Sequence, residues 1–522
     1  MKRNFCKILC FLTIGFFLVL FVQEKWHPFQ MKPLSGVTVE TTFPELTFEK
    51  FVSGEVQSDM EQYSKDNFGF REGLIRLYNQ YLWDCYRKSY SKTVYVGEEG
   101  WLYEKEIVED YIGKRMYDFA ESPEALKAKL STEAVRLKKV QDILACYGKH
   151  LFVLMEPDKA RTYPEYFPKN LKKTDNPDAI AANIYPHLFD SLGVNCMNVD
   201  AWFRQIKGSV DYALYPQTGT HWSNLAALHA MDSIIGYMES LGSLKMKELQ
   251  ISDVKYDTTM TPDDDLEKLL NVNKRSHDIP NYYADFTLTN DSTVMQPAWI
   301  HIGDSYYWNL SYHIPLDEIF SYHHYWYYNS SIFYDSEYTS TRDINLIGQL
   351  MSANFVSLGY CTAQLYGLSS RFSAQALVNL CHNAEEVETA VQGIVQNIYS
   401  NEQWKASLQE KAESEGRSLE DVVRDDALYL LYSDPESYFP DLLDEHPASR
   451  NEMLCMFLPD DAMGQILRNM HNNSEWLAAL KEKADEQHVS LETVMIRDAK
   501  WVLDNQYSPT TFTLTSEIKK SL

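Results

Sequence analysis

The chain has 522 residues, 45% of them hydrophobic and 13% aromatic, which is enough apolar side chain for more than one packed core and too much for a disordered chain. Its formal net charge of -26 excludes a nucleic-acid partner, because phosphate binding needs clustered Lys and Arg. The same field disfavours a strongly anionic polymer, so a neutral glycan or an uncharged ester fits better.

Residues 1–25 open on Met1-Lys2-Arg3-Asn4, followed by an apolar run from Phe5 to Val22 broken only by Lys7. No small-x-small cleavage site follows it. The reading is an uncleaved signal-anchor, with a cleaved signal peptide as the alternative. Lys2, Arg3 and Lys7 favour the inner side, so the body is expected outside the cytoplasm. Residues 26–118 read as a tether and an N-terminal extension. Within them, Phe51 to Tyr86 carries helical periodicity, and Val94 to Tyr103 looks like a hairpin around a Gly-containing turn.

An α/β alternation fills residues 119–380. Pro123 to Tyr147 is predicted helical, with Gly148 just beyond its end. His150 to Met155 is a continuous apolar run, as in a buried parallel strand. Pro177 to Leu192 is a second helix capped by Asn176, Val194 to Val199 a second strand, and Ser223 to Leu241 a third helix. Ala298 to Ile302 and Phe355 to Gly359 are further strands. The pattern predicts a mostly parallel sheet with helices on both faces.

Residues 381–522 read as a helical domain with a repeat at a constant offset of 72. Trp404 matches Trp476, Leu408 matches Leu480, Ser418-Leu419-Glu420 matches Ser490-Leu491-Glu492, and Asp426-Ala427 matches Asp498-Ala499. Ser400 with Gln403, and Asn472 with Glu475, resemble N-cap and N3 pairs. The two copies are expected to pack together, because one copy is too small to bury its own apolar face. A module binding a partner or glycan and a purely structural appendage are both open readings. The eight cysteines are scattered without a C-x-x-C pair, so neither a metal site nor a redox pair is indicated, and no cofactor is expected.

Gly303-Asp304-Ser305 directly follows the strand Trp299 to Ile302. Ligands of open α/β sheets bind beyond the carboxyl ends of the strands, and a Ser there can act as a nucleophile if a base is near. His221, where a loop enters the third helix, is the candidate base; its bland alternative is a ring packed on Trp222. His229, and the pair His323-His324 among aromatics, read as structural.

These residues meet a known pattern. From about residue 45 to 375 the chain resembles the alginate O-acetylation proteins of the AlgJ/AlgX type, which carry an SGNH-hydrolase-like domain. The resemblance rests on six blocks in order: Asn67-Phe68-Gly69-Phe70-Arg71, Gly97-x-x-Gly100-Trp101-Leu102-Tyr103, Pro157-Asp158-Lys159 with Tyr163-Pro164-Glu165, Thr220-His221-Trp222, Asp265-Leu266-Glu267 and Gly303-Asp304-Ser305-Tyr306. It implies an SGNH-hydrolase-like, mostly parallel sheet flanked by helices, which the rest of the sequence sets between an N-terminal membrane anchor and a C-terminal all-α repeat domain. It also implies that Ser305 takes an acetyl group from a membrane-bound O-acyltransferase partner and passes it to a polysaccharide acceptor, with His221 as base and then acid.

One departure stands out. The family motif is Asp-Thr-His-Trp, and this chain has Gly219-Thr220-His221-Trp222. Asp158 and Asp200, each after a predicted strand, are the candidate replacements for the missing acid. Lys159 and Arg161 are candidate contacts for acyl or glycan oxygens, and Trp222 and Tyr306 candidate sugar-stacking rings, with loop surface and core as the respective alternatives. The departure leaves three functions open: an O-acetyltransferase, a catalytically inactive glycan-binding or scaffold protein on the same fold, and an acetyl esterase.

Overall fold

The computed structural model describes residues 2–36, 41–258, 261–274, 281–289, 294–334, 337–342, 344–382, 384–443, 466–467, 470, 473–487 and 491–506. The first helix, Lys2–Trp26, is long and apolar enough over Lys7–Trp26 to cross a membrane, and only 6% of that window is buried. Helices Phe48–Ser53, Glu55–Asn67 and Arg71–Tyr86 follow. The hairpin is β1 (Val94–Val96) against β2 (Leu102–Glu104), antiparallel, with Tyr95 opposite Tyr103.

The central sheet has seven strands. In chain order they are β3 (His150–Glu156), β4 (Cys196–Asn198), β7 (Ala298–Gly303), β8 (Tyr322–Tyr327), β9 (Ser331–Tyr334), β10 (Glu337–Ser340) and β11 (Phe355–Cys361). The two strands skipped in that count, β5 (Leu249–Asp257) and β6 (Asn281–Leu288), form a separate antiparallel ribbon. Spatial order is β10-β9-β8-β7-β11-β3-β4. From β8 to β4 all neighbours are parallel, and β9 and β10 add an antiparallel edge. Every residue of β11 is buried, as a strand with neighbours on both sides and helices on both faces requires.

Helix starts follow local chemistry. Ser122 caps Pro123–Cys146 by accepting from the Ala125 N–H at 3.2 Å, with Pro123 in the first turn. Ser223 caps Asn224–Gly242 in the same way. Asn176 does cap at Pro177, but it opens only a short turn, Pro177–Ala179; extended Ile180 intervenes, and the helix proper is Ala181–Leu192. The predicted strand Val194 to Val199 shortens to β4, because Asn198 caps a helix beginning at Val199.

One face of the sheet packs on Pro123–Cys146, Ala181–Leu192 and Phe372–Cys381, and the other on Asn224–Gly242 and Tyr306–His313. The first core continues through Val387, Ile394, Leu408, Val422 and Leu431. The first repeat therefore shares the core of the sheet, with no break in packing at residue 381. The repeat itself is explicit: Glu402–Glu415 and Leu419–Ser433 recur as Ser474–Gln487 and Leu491–Gln506. Core positions Leu408, Ala412, Val422 and Ala427 recur as Leu480, Ala484, Val494 and Ala499. The copies do not merge into one core as expected. Among the described residues the second closes its own cluster with Ile466 and Met470, while the first leans on the helices of the sheet, which already offer an apolar surface. The caps are Asn401 and Asn473, each one residue later than expected. Asn472 lies outside the described residues.

Candidate functional site

Ser305 leaves the carboxyl end of β7 and stands at the start of the helix Tyr306–His313. Gly303 lets this crossing happen: a Cβ there would lie 2.2 Å from the Gly359 carbonyl oxygen on β11. Asp304 then fixes the turn. Its Oδ1 accepts from the Tyr306 N–H at 3.0 Å and its Oδ2 from the Cys361 N–H at 2.8 Å, tying the ends of β7 and β11 together. Among the described residues no acceptor pairs with the Ser305 N–H.

His221 comes from the loop before the helix Asn224–Gly242, held in place by the cap at Ser223. Its Nε2 lies 2.8 Å from Ser305 Oγ, and its Nδ1 lies 2.8 Å from Asp265 Oδ2. A carboxylate only accepts, so Nδ1 carries the proton and Nε2 is left to accept from the Ser305 hydroxyl. Asp265 is itself oriented, because its Oδ1 accepts from the N–H groups of Thr220 and Leu266 at 2.9 and 2.7 Å. Burial pulls the His221 pKa down. The hydrogen bond and charge of Asp265, with Glu104 and Asp304 further off, outweigh that pull and hold it above the ordinary imidazole value.

The carboxylate that the sequence lacks at position 219 is thus supplied by Asp265. Gly219 is closed to any side chain: a Cβ there would lie 2.6 Å from the Asp263 carbonyl oxygen and 2.8 Å from Pro216. The segment that delivers Asp265 lies against Gly219, so the acid is moved to another loop.

Lys159 and Arg161 do not line an open cleft, contrary to the sequence expectation. Lys159 is fully buried, and its Nζ donates to the carbonyl oxygens of Gln217 and Gly219, both at 2.8 Å, from a position over the Trp101 ring. It anchors the loop that carries His221. Arg161 pairs with Asp200 at 3.1 Å and reaches Asn183. Asp200, bound also by Arg204, is consumed by that ion pair. Asp158 caps a short helix through the Arg161 N–H at 2.7 Å and accepts from the Thr362 hydroxyl. Neither aspartate bonds to His221: both carboxylates are buried and fully engaged by these partners.

Trp222 and Tyr306 are core residues, 0% and 2% exposed, in edge-to-face contact at 5.3 Å. They leave no face for a sugar. Tyr306 instead donates to the Thr220 carbonyl at 3.1 Å and meets the His221 ring edge-on, so it steadies the base from below.

Three further residues went unread as site residues in the sequence. Asp265 belonged to a block that carried the resemblance, and its loop-to-helix position was the available signal. Glu104, at the end of β2, accepts from Thr220 Oγ1 at 3.0 Å, and burial raises its pKa. Glu156, at the end of β3, is completely buried; burial and the nearby Asp304 charge push its pKa well above the usual carboxyl range. Its place as the last residue of an otherwise apolar strand was the only sequence signal.

A hydroxyl, an imidazole and a carboxylate stand in line at the carboxyl edge of a helix-flanked parallel sheet, a geometry that can carry acyl transfer. Residues 94–306 match the model of the SGNH hydrolase-like domain of the acetyltransferase AlgX. Comparison with the curated proteins gives no match. Solved structures with a similar arrangement include the O-acetyltransferase domain of Pseudomonas putida AlgJ (16% identity, 52% of this chain and 92% of that one, TM-score 0.34). They also include Pseudomonas aeruginosa AlgX (14%, 54% and 65%, 0.33) and Bacillus cereus PatB1 (11%, 53% and 99%, 0.34). Likeness at this level leaves the chemistry to be argued from this chain's own residues.

Proposed function

We propose that the protein is an O-acetyltransferase that moves an acetyl group onto a hydroxyl of a cell-surface or exported polysaccharide through Ser305. The observation that supports this most is the unbroken chain Ser305 Oγ, His221 Nε2, His221 Nδ1, Asp265 Oδ2, with both gaps at 2.8 Å. Ser305 Oγ attacks the acetyl carbonyl while His221 Nε2 takes its proton; the donor's C–O bond breaks and its leaving oxygen receives that proton. A sugar hydroxyl then gives its proton to His221, attacks the acetyl-serine carbonyl, and the Ser305 oxygen leaves and is reprotonated. The Ser305 N–H is the donor available to the oxyanion; the Tyr306 N–H is occupied by Asp304. Asp265 holds the imidazole in the required tautomer and stabilises its cation.

The helix Lys2–Trp26 serves in this reading as a membrane anchor, with the body on the extracytoplasmic side and a membrane-bound O-acyltransferase partner presenting the acetyl donor. The four-part division made from the sequence is retained as a functional map: anchor, tether and extension, acyl-transfer domain, helical repeats. Incubation with an activated acetyl ester and a neutral oligosaccharide tests the reading. Acetylated sugar is expected. Release of acetate to water alone would make the protein an esterase, and no turnover by folded protein would make it a binding protein.

A further inference from the structure

The strand order sets three chain segments side by side at the carboxyl edge of the sheet. The middle one leaves β7 and carries Ser305. Its neighbours leave β8, as residues 328–330, and β11, as the stretch Thr362–Arg371. These two flanking segments face the helix Leu419–Ser433 of the first repeat across a cavity of about 840 Å³, lined among others by Tyr328, Tyr366, Ser370, Arg371, Tyr429 and Tyr432. A second chamber of about 410 Å³ shares Ser370, Arg371, Tyr429 and Tyr432 with the first and adds Asn329.

Several features of this hollow bear on what it could hold. The backbone is left-handed at Tyr328 (φ 47°), Asn329 (49°), Ser369 (68°), Ser370 (46°) and Arg371 (69°), none of them glycine. Tyr328 and Asn329 turn the β8–β9 hairpin and Arg371 sits at the N-cap of the helix Phe372–Cys381, so these conformations fix where the lining side chains start. Asn329 Nδ2 donates to Gln375 Oε1 at 3.1 Å and to the Ser370 carbonyl at 3.4 Å, which fixes the amide orientation. Asn329 Oδ1 is then a buried acceptor with no donor. Tyr429 keeps 52% of its surface exposed although it lines the cavity, and the Arg371 guanidinium lies 4.5 Å from its ring centroid. Arg371 makes no ion pair among the described residues. In the second repeat the residue at the same offset is Trp501, also exposed (60%) and also lining a cavity, beside Arg497 and Asp498.

A half-exposed aromatic ring with a guanidinium over one face, and an unpaired acceptor nearby, match in a polar hollow the chemistry of a pyranose: one apolar ring face and a rim of hydroxyls. We propose that this hollow is a subsite for a neutral hexose strand, with a sugar ring on Tyr429 and a sugar hydroxyl donating to Asn329 Oδ1. The inference rests on the acyl-transfer reading only for its purpose, which is to hold the acceptor at the same carboxyl edge of the sheet that carries Ser305. It also assigns the first repeat its work, as the outer wall of the acceptor groove.

The test separates the two ideas. The full chain with Ser305→Ala, which lacks the hydroxyl to be acylated, is titrated by calorimetry with cellohexaose and with chitohexaose. Saturable binding of at least one hexamer is expected. Tyr429→Ala in that background is expected to weaken it tenfold or more with an unchanged melting temperature, and Asn329→Asp to leave the fold intact and shift the affinity. Binding of neither hexamer, or binding that Tyr429→Ala leaves within twofold, overturns the subsite. Whether Ser305 accepts an acetyl group is read separately on the unsubstituted protein, so failure there strikes the reaction and leaves the subsite standing.

Discussion

Asp265 Oδ2 lies 2.8 Å from His221 Nδ1 although the two residues are 44 positions apart and on different loops. Asp265→Asn keeps the shape and can still accept from the Thr220 and Leu266 N–H groups, but loses the charge and favours the wrong imidazole tautomer. Acyl transfer is expected to fall by about a thousandfold or more with little change in stability. Stopped-flow acetylation by p-nitrophenyl acetate reads the rate, and thermal unfolding reads the fold.

The same pair sets a pH dependence. His221 must be neutral to accept the Ser305 proton, and its pKa is raised, so the acidic limb of acetylation is expected above the ordinary imidazole value of 6.5. In Asp265→Asn the raising contribution is gone while burial remains, so the limb of the residual activity moves to lower pH. A limb that stays in place would show that Asp265 does not control the charge on His221.

Restoring the family residue is expected to fail. Gly219→Asp would drive a Cβ into the Asp263 carbonyl and Pro216. Overpacking of this kind costs about 1–3 kcal/mol, and here it also displaces the segment that holds Asp265. Gly219→Asp is expected to lower both melting temperature and activity, and not to rescue Asp265→Asn. A double variant more active than Asp265→Asn alone would contradict the account.

Lys159 is expected to act through the loop and not on substrate. Lys159→Met leaves the Gln217 and Gly219 carbonyls without their buried donor, at about 2 kcal/mol or more. Lower melting temperature and lower kcat with little change in KM for an ester donor is the expected pattern. A KM effect alone, at unchanged stability, would return Lys159 to the substrate.

Glu156 gives a stability test. Its pKa is raised in the folded protein above the ordinary 4.5, so the native state keeps a proton that the unfolded chain releases. Stability therefore declines with rising pH from about the ordinary carboxyl value up to the folded pKa, by about 1.4 kcal/mol per pH unit inside that window. Glu156→Gln cannot titrate. Its melting temperature is expected to match the unsubstituted protein near pH 4.5 and to exceed it increasingly as the pH rises from there. A difference that does not grow with pH would refute a protonated Glu156.

What could be read in the chain followed from what each signal encodes. Apolar continuity exposed β3, β7 and β11, and Pro123 with Gly148 bounded the first helix of the α/β region. The ribbon β5–β6 escaped, since most of β5 is exposed and carries no buried run. Ser305 and His221 were legible because each sits at a chain transition with its own local signature. Asp265 was not recognised as their partner, because pairing across 44 positions depends on how two loops dock, and the backbone of Asp263 against Gly219 decides that docking. Lys159, Arg161, Asp158 and Asp200 misled for the converse reason: charged residues after a strand look like site residues, and only packing shows that they neutralise one another or hold loops.

Acylation of Ser305 is the step on which every other step depends. The unsubstituted protein is mixed with p-nitrophenyl acetate, quenched in acid within the burst, digested and examined by mass spectrometry. One acetyl group is expected on the peptide containing Gly303-Asp304-Ser305, absent in Ser305→Ala and strongly reduced in Asp265→Asn. An unmodified Ser305 in folded, reagent-exposed protein, or equal labelling of Ser305→Ala, would contradict it.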